Sequence, residues 1–152
     1  MANCFISYSS ADEEMAQWVR SELLGQNVSV FMASASLRPG AKWSTEIRNQ
    51  LQSSRTVIFL ASREACSSPW VQQEMGMALA QMKNVVPIVW DIPPTELPGW
   101  TSEFQALDLR NASVAEARTR ILAIGENIRL GKQEALILGG ILIGAILIWG
   151  GE

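Results

Sequence analysis

Histidine is missing from all 152 residues. Its absence excludes Ser-His-Asp and Cys-His nucleophilic relays and most zinc or haem sites. Any catalysis must rest on carboxylates, hydroxyls, amines or backbone dipoles. Cysteine is scarce as well: Cys4 and Cys66 offer neither a disulfide framework nor zinc-ligand spacing, and they fit a reducing cytosol. No metal site is expected. An excess of basic charge is also lacking; the net charge is −3 and the pI about 5.1, so no global field argues for nucleic acid. The N-terminus has neither the basic patch nor the long apolar run of a signal peptide, which places residues 1–130 in the cytoplasm. Internal repeats and low-complexity segments are absent apart from the last stretch of chain.

That stretch runs from Ala135 to Gly150, sixteen residues without a charge. As a helix it spans roughly 24 Å, a little short of a ~30 Å hydrocarbon core. Gly140 and Gly144 form a Gly-x-x-x-Gly pair that permits close helix approach in lipid. Trp149 suits the far interface, with Arg129 and Lys132 on the cytoplasmic side. The expectation is a tail anchor at the cytoplasmic face of the inner membrane; the alternative is an apolar helix buried in a cytoplasmic oligomer. The chain thus divides into a domain over 1–130 and a C-terminal apolar helix over 131–152.

Ahead of the tail, apolar runs and helical periodicities alternate. Residues 3–8, NCFISY, read as a buried strand, and Ser10 with Glu13 as a capping box opening a helix that ends near Gly25. Val28–Met32 reads as the second strand; a loop with a Pro-Gly turn follows, then helical spacing from Trp43 to Gln52. Thr56–Leu60 is apolar enough to be buried on both faces. Val85–Trp90 is a fourth strand, in which Pro87 argues for an irregular or edge-facing position. A short fifth strand is expected near Phe104–Leu109, and Ser113 with Glu116 caps a last helix reaching about Leu130. This alternation predicts an α/β fold: a flavodoxin-like, five-stranded parallel sheet with helices on both faces. Ligands in such sheets favour the loops beyond the strands' carboxyl ends.

One of those loops leads into Ser68-Pro69-Trp70-Val71-Gln72-Gln73-Glu74. Ser68 can accept from a free backbone N–H, and Pro69 fits the first turn, where no donor is needed. Four residues separate Trp70 from Glu74, so indole and carboxylate share a helix face. On spacing alone, the pattern equally fits a core tryptophan beside a solvated carboxylate.

Phe5-Ile6-Ser7-Tyr8-Ser9 resembles the first box of the TIR (Toll/interleukin-1 receptor) domain family. Arg38-Pro39-Gly40 lies where that family has its long loop after the second strand, and Ser68-Pro69-Trp70 with Glu74 resembles the segment carrying the catalytic glutamate of NAD-cleaving members. The resemblance covers roughly residues 1–130. It implies the TIR fold and, in the bacterial NAD-cleaving type, cleavage of the nicotinamide–ribose bond, with NAD+ as substrate and no cofactor. Nicotinamide departs neutral, so a single carboxylate suffices where ordinary glycosidases need two.

By resemblance Glu74 is catalytic, steadying the oxocarbenium-like transition state. Phe5, Ser7 and Tyr8 line the pocket floor, with Phe5 also suited to the core. Trp70 either packs behind Glu74 or stacks on nicotinamide; Arg38 and Lys42 either meet the pyrophosphate or are solvated. Trp43 either stacks on a base or packs at a helix start, and Cys66 is a pocket thiol or a small buried residue. Family members often work as assemblies, which implies self-association through the domain and the tail, and bacterial ones serve anti-phage defence. Two other readings stand beside the hydrolase: a TIR enzyme making a cyclic or modified ADP-ribose signal, and a non-catalytic adaptor.

Overall fold

The computed structural model describes residues 3–34 and 45–131. Strand β1 spans Cys4–Tyr8, helix α1 Glu13–Leu24, β2 Val30–Ser34, α2 Thr45–Ser53 and β3 Thr56–Leu60. Then come α3 over Arg63–Cys66, α4 over Pro69–Ala80, β4 over Asn84–Val89, β5 over Leu107–Asp108 and α5 over Val114–Leu130. Every strand pairing is parallel, in the order β2-β1-β3-β4-β5. The expected flavodoxin-like sheet with a helical layer on each face is therefore present.

The side-chain period of two divides the core between those layers. Cys4, Ile6 and Tyr8 of β1 pack with Ile58 and Leu60 of β3 against Val19 and Leu23 of α1 and Ile121, Ile124 and Ile128 of α5. Phe5, Val57 and Phe59 point the other way, into Leu51 of α2 and Val71, Met75 and Ala78 of α4. All five residues of β1 and of β3 are buried, which explains their nearly unbroken apolar runs. Burying a phenylalanine such as Phe5 or Phe59 contributes about 2–3 kcal/mol.

Several boundaries differ from expectation for identifiable reasons. The Ser10–Glu13 capping box does not form. Ser9 instead accepts from the Ala11 amide at 3.2 Å and closes a 3₁₀ turn over Ser10–Asp12, so α1 begins only at Glu13. Asp12, at the cap position, makes no capping bond because its carboxylate accepts from the Ser62 hydroxyl. Val28 belongs to the turn closing α1, its amide donating to the Leu23 carbonyl at 3.2 Å after Asn27 adopts φ 63°, so β2 starts two residues late.

Pro87 lies inside β4, between two strands, yet loses no ladder bond. The Ile88 carbonyl accepts from Ala61 on the β3 side and the Val89 carbonyl from Leu109 on the β5 side, both at 2.8 Å. Pro87, two residues before Val89, turns its nitrogen to the β5 side, where pairing begins only at Ile88. The Ser113–Glu116 capping box does form, and α5 ends at Gly131 with φ 68°. No helix among the described residues is long and apolar enough to cross a membrane. The apolar run 135–150 lies outside them.

Candidate active site

Helix α4 leads into a parallel strand, so it runs against the strand direction and opens at the carboxyl rim of the sheet. Its start is fixed as the sequence indicates: Ser68 Oγ accepts from the Val71 amide at 3.3 Å, and Pro69 occupies the first turn. The stripe facing the sheet comprises Val71, Glu74, Met75 and Ala78, which is helical spacing with a carboxylate in an apolar position. Glu74 is the sole charged residue of α4 and is 1% exposed.

Directly opposite stands Ser7, fully buried near the carboxyl end of β1. Its Oγ lies 2.6 Å from Glu74 Oε1, while Glu74 Oε2 has no hydrogen-bond partner among the described residues. Burial pushes the Glu74 carboxyl up to about 8, and the Ser7 bond pulls the other way without prevailing. At neutral pH the resting group therefore carries its proton. A buried carboxyl with one oxygen held and the other unpartnered is an unusual thing to retain in a core, since an apolar residue would pack there without the desolvation cost. Such groups concentrate at functional sites.

The other expected site residues divide. Trp70 is half-buried one turn before Glu74, on the same side of α4. Phe5 is fully buried two residues before Ser7 and meets the Phe31 ring at 5.5 Å between centroids, so its place is in the core beneath the site. Tyr8 is not brought to Glu74: strand alternation sends its ring to the α1 and α5 face, 2% exposed. Cys66, at the end of α3, is half-buried and packs at the edge of the α4-side core, its thiol pushed up to about 11 mainly by burial. Arg38, Lys42 and Trp43 lie outside the described residues.

Tertiary structure adds features that sequence reading missed. Trp100, from a 3₁₀ turn between β4 and β5, stacks on Phe59 with centroids 5.5 Å apart, and its indole N–H donates to Gln72 Oε1 at 3.3 Å. That contact ties the first turns of α4 to the β4–β5 connection. No local signal links positions 59, 72 and 100; only the Pro98-Gly99 turn hints that Trp100 is presented deliberately. Ser62 caps α3 through the Ala65 amide at 3.0 Å while its hydroxyl meets Asp12, and the Arg63 amide donates to Asp91 Oδ1 at 3.1 Å. These bonds fasten the loops after β1, β3 and β4 together at the rim. On the opposite face, across the sheet from Glu74, lies a cleft of about 650 Å³ whose walls include Met15, Trp18 and Trp90.

A TIR domain family model matches residues 4–122. The chain belongs to the TIR domain family. Solved structures agree at the level of fold. This TIR domain superimposes on that of the Toll-related receptor TRR-2 of Hydra magnipapillata with a TM-score of 0.67, at 18% identity over 85% of this chain and 99% of that one. For the TIR domains of the activated Roq1 resistosome, which recognises the effector XopQ, the TM-score is 0.65 at 18% identity, covering 84% and 99%. A TIR-STING receptor from C. gigas gives 0.59 at 21% identity, over 94% of this chain and 47% of that one. In sequence, 95 residues are 24% identical to a Brachypodium distachyon protein described as a "Probable 2' cyclic ADP-D-ribose synthase", covering 61% of this chain and 42% of the relative. The chain thus matches less than half the length of that relative.

Proposed function

We propose that this TIR domain cleaves the bond between nicotinamide and ribose in NAD+, with Glu74 as the catalytic carboxylate. The observation that carries the reading is the Glu74 carboxyl itself: 1% exposed, one oxygen held by Ser7 and the other unpartnered among the described residues. The glycosidic carbon–nitrogen bond breaks with its electron pair passing to the ring nitrogen, so nicotinamide leaves neutral and no general acid is required. Positive charge develops on the ribosyl carbon, and a carboxylate beside it in a water-poor site stabilises that charge strongly. Water then adds to the ribosyl carbon and gives up one proton, leaving ADP-ribose, nicotinamide and H⁺.

The raised Glu74 pKa fits this sequence of events. A neutral carboxyl is tolerated in the empty core, whereas a cationic substrate favours the ionised form where it is needed. A second reading is favoured by the description of the Brachypodium relative: a hydroxyl within the ADP-ribose unit captures the ribosyl cation in place of water, giving a cyclic product. Glu74 has the same role in both. The proposal extends to setting: self-association of the domain, attachment to the cytoplasmic face of the inner membrane through residues 135–150, and service in anti-phage defence.

The test is NAD+ loss and product identity by chromatography, comparing wild type with Glu74→Gln, each concentrated on liposomes. Glutamine keeps the shape and removes the charge, so turnover should fall roughly 10²–10³-fold. ADP-ribose as product supports the hydrolase, and a cyclic product the second reading. NAD+ left intact by the assembled wild type would point to a non-catalytic adaptor.

A further inference from the structure

Within that proposed reaction, the geometry points to Ser7 as the positioning residue for Glu74, its hydroxyl fixing one carboxylate oxygen so that the other is presented to substrate. Three observations converge on it. Ser7 is the one polar side chain of β1 on the α4 face, where it stands among apolar positions of β1 and β3: Phe5, Val57 and Phe59. It is fully buried, where a hydroxyl without a partner costs about 1–3 kcal/mol. Its side-chain hydrogen bond spans 67 residues of sequence and joins β1 to α4 at 2.6 Å, a short O–H···O contact.

An alanine or valine would fill this position in an ordinary core, and Glu74 would then be free to rotate about its last torsion. With Oε1 anchored, the carboxyl cannot turn freely, and Oε2 is the oxygen left without a hydrogen bond among the described residues. The hydroxyl donates to the ionised carboxylate, so it also opposes the effect of burial on Glu74. Among the described residues, no other titratable group provides this service. On β1, Cys4 and Tyr8 point to the opposite face; β3 has no titratable residue; α4 has no charged residue besides Glu74. The remaining charged groups on the surrounding elements are Arg63 and Glu64 on α3 and Glu46 and Arg48 on α2.

The experiment follows the Glu74 carboxyl by infrared titration alongside the pH dependence of NAD+ cleavage, in wild type, Ser7→Ala and the nearly isosteric Ser7→Cys. The protonated-carboxyl band is assigned by its loss in Glu74→Gln. Removing a hydrogen bond to a charged group should move the band's midpoint up by about one to two pH units in Ser7→Ala. Ser7→Cys, a weaker donor, should move it part of the way, and the limb of kcat against pH should follow each shift while KM changes little. A midpoint unmoved in folded Ser7→Ala or Ser7→Cys overturns the inference, because a merely space-filling serine would leave the titration alone. If wild type leaves NAD+ intact at every pH, the enzymatic reading fails. The infrared midpoint still decides whether Ser7 governs Glu74.

Discussion

The stability of Glu74→Gln relative to wild type should rise with pH. In the unfolded chain the carboxyl titrates near its ordinary 4.5, whereas burial pushes it up to about 8 in the folded protein. Between those values the native state holds a proton that the unfolded state has released, so native stability falls as pH rises through this window. Each pH unit is worth about 1.4 kcal/mol, which makes the penalty roughly 3 kcal/mol at pH 7 and roughly 5 kcal/mol above pH 8. Glutamine has no such titration. Its amide leaves a donor poorly matched in the same pocket, at a cost of about 1–3 kcal/mol that does not vary with pH. The informative quantity is therefore the change in the mutational difference, not the difference at one pH. Urea unfolding of both proteins at pH 5, 7 and 9 should show Glu74→Gln gaining about 4 kcal/mol on wild type across that range. A difference constant to within about 0.5 kcal/mol would mean that the carboxyl is solvated or paired in solution and would refute the reasoning.

Two further outcomes test the frame around the site. Gly125→Ala should lower stability by about 1–3 kcal/mol in urea unfolding, because a Cβ there would stand 2.0 Å from Gln26 Oε1 and 2.9 Å from Leu23 Cδ2, where α1 and α5 approach closely. Ser68→Ala should cost about 1 kcal/mol by removing the cap on the Val71 amide, again read from the urea midpoint.

Much of this organisation was legible in the chain, for reasons that can be named. TVIFL is a strand buried on both faces because a central parallel strand has helices above and below it, which favours a nearly continuous apolar run. Ser68-Pro69 and Ser113–Glu116 begin helices because capping is satisfied within four residues and needs no tertiary information. Ser10–Glu13 has the same local signature and fails, because Ser9 takes the Ala11 amide into a 3₁₀ turn and Asp12 is engaged by Ser62, the cap of α3 fifty residues away. Pro87 argued for an edge, and the edge proved to be local: β5 is short enough to leave that one position unpaired.

The sequence by itself determined that chemistry here could not use histidine, that strands and helices alternate, and that Trp70 and Glu74 share a helix face. Each follows from composition or from a period of two or 3.6 residues, which the chain carries locally. Only the tertiary structure decided that Glu74 is buried against Ser7, that Tyr8 faces away, and that Trp100 covers Phe59 and holds Gln72. Burial and the partner of a carboxylate depend on which strand lies beneath the helix, and the 67 residues between Ser7 and Glu74 encode that only by folding.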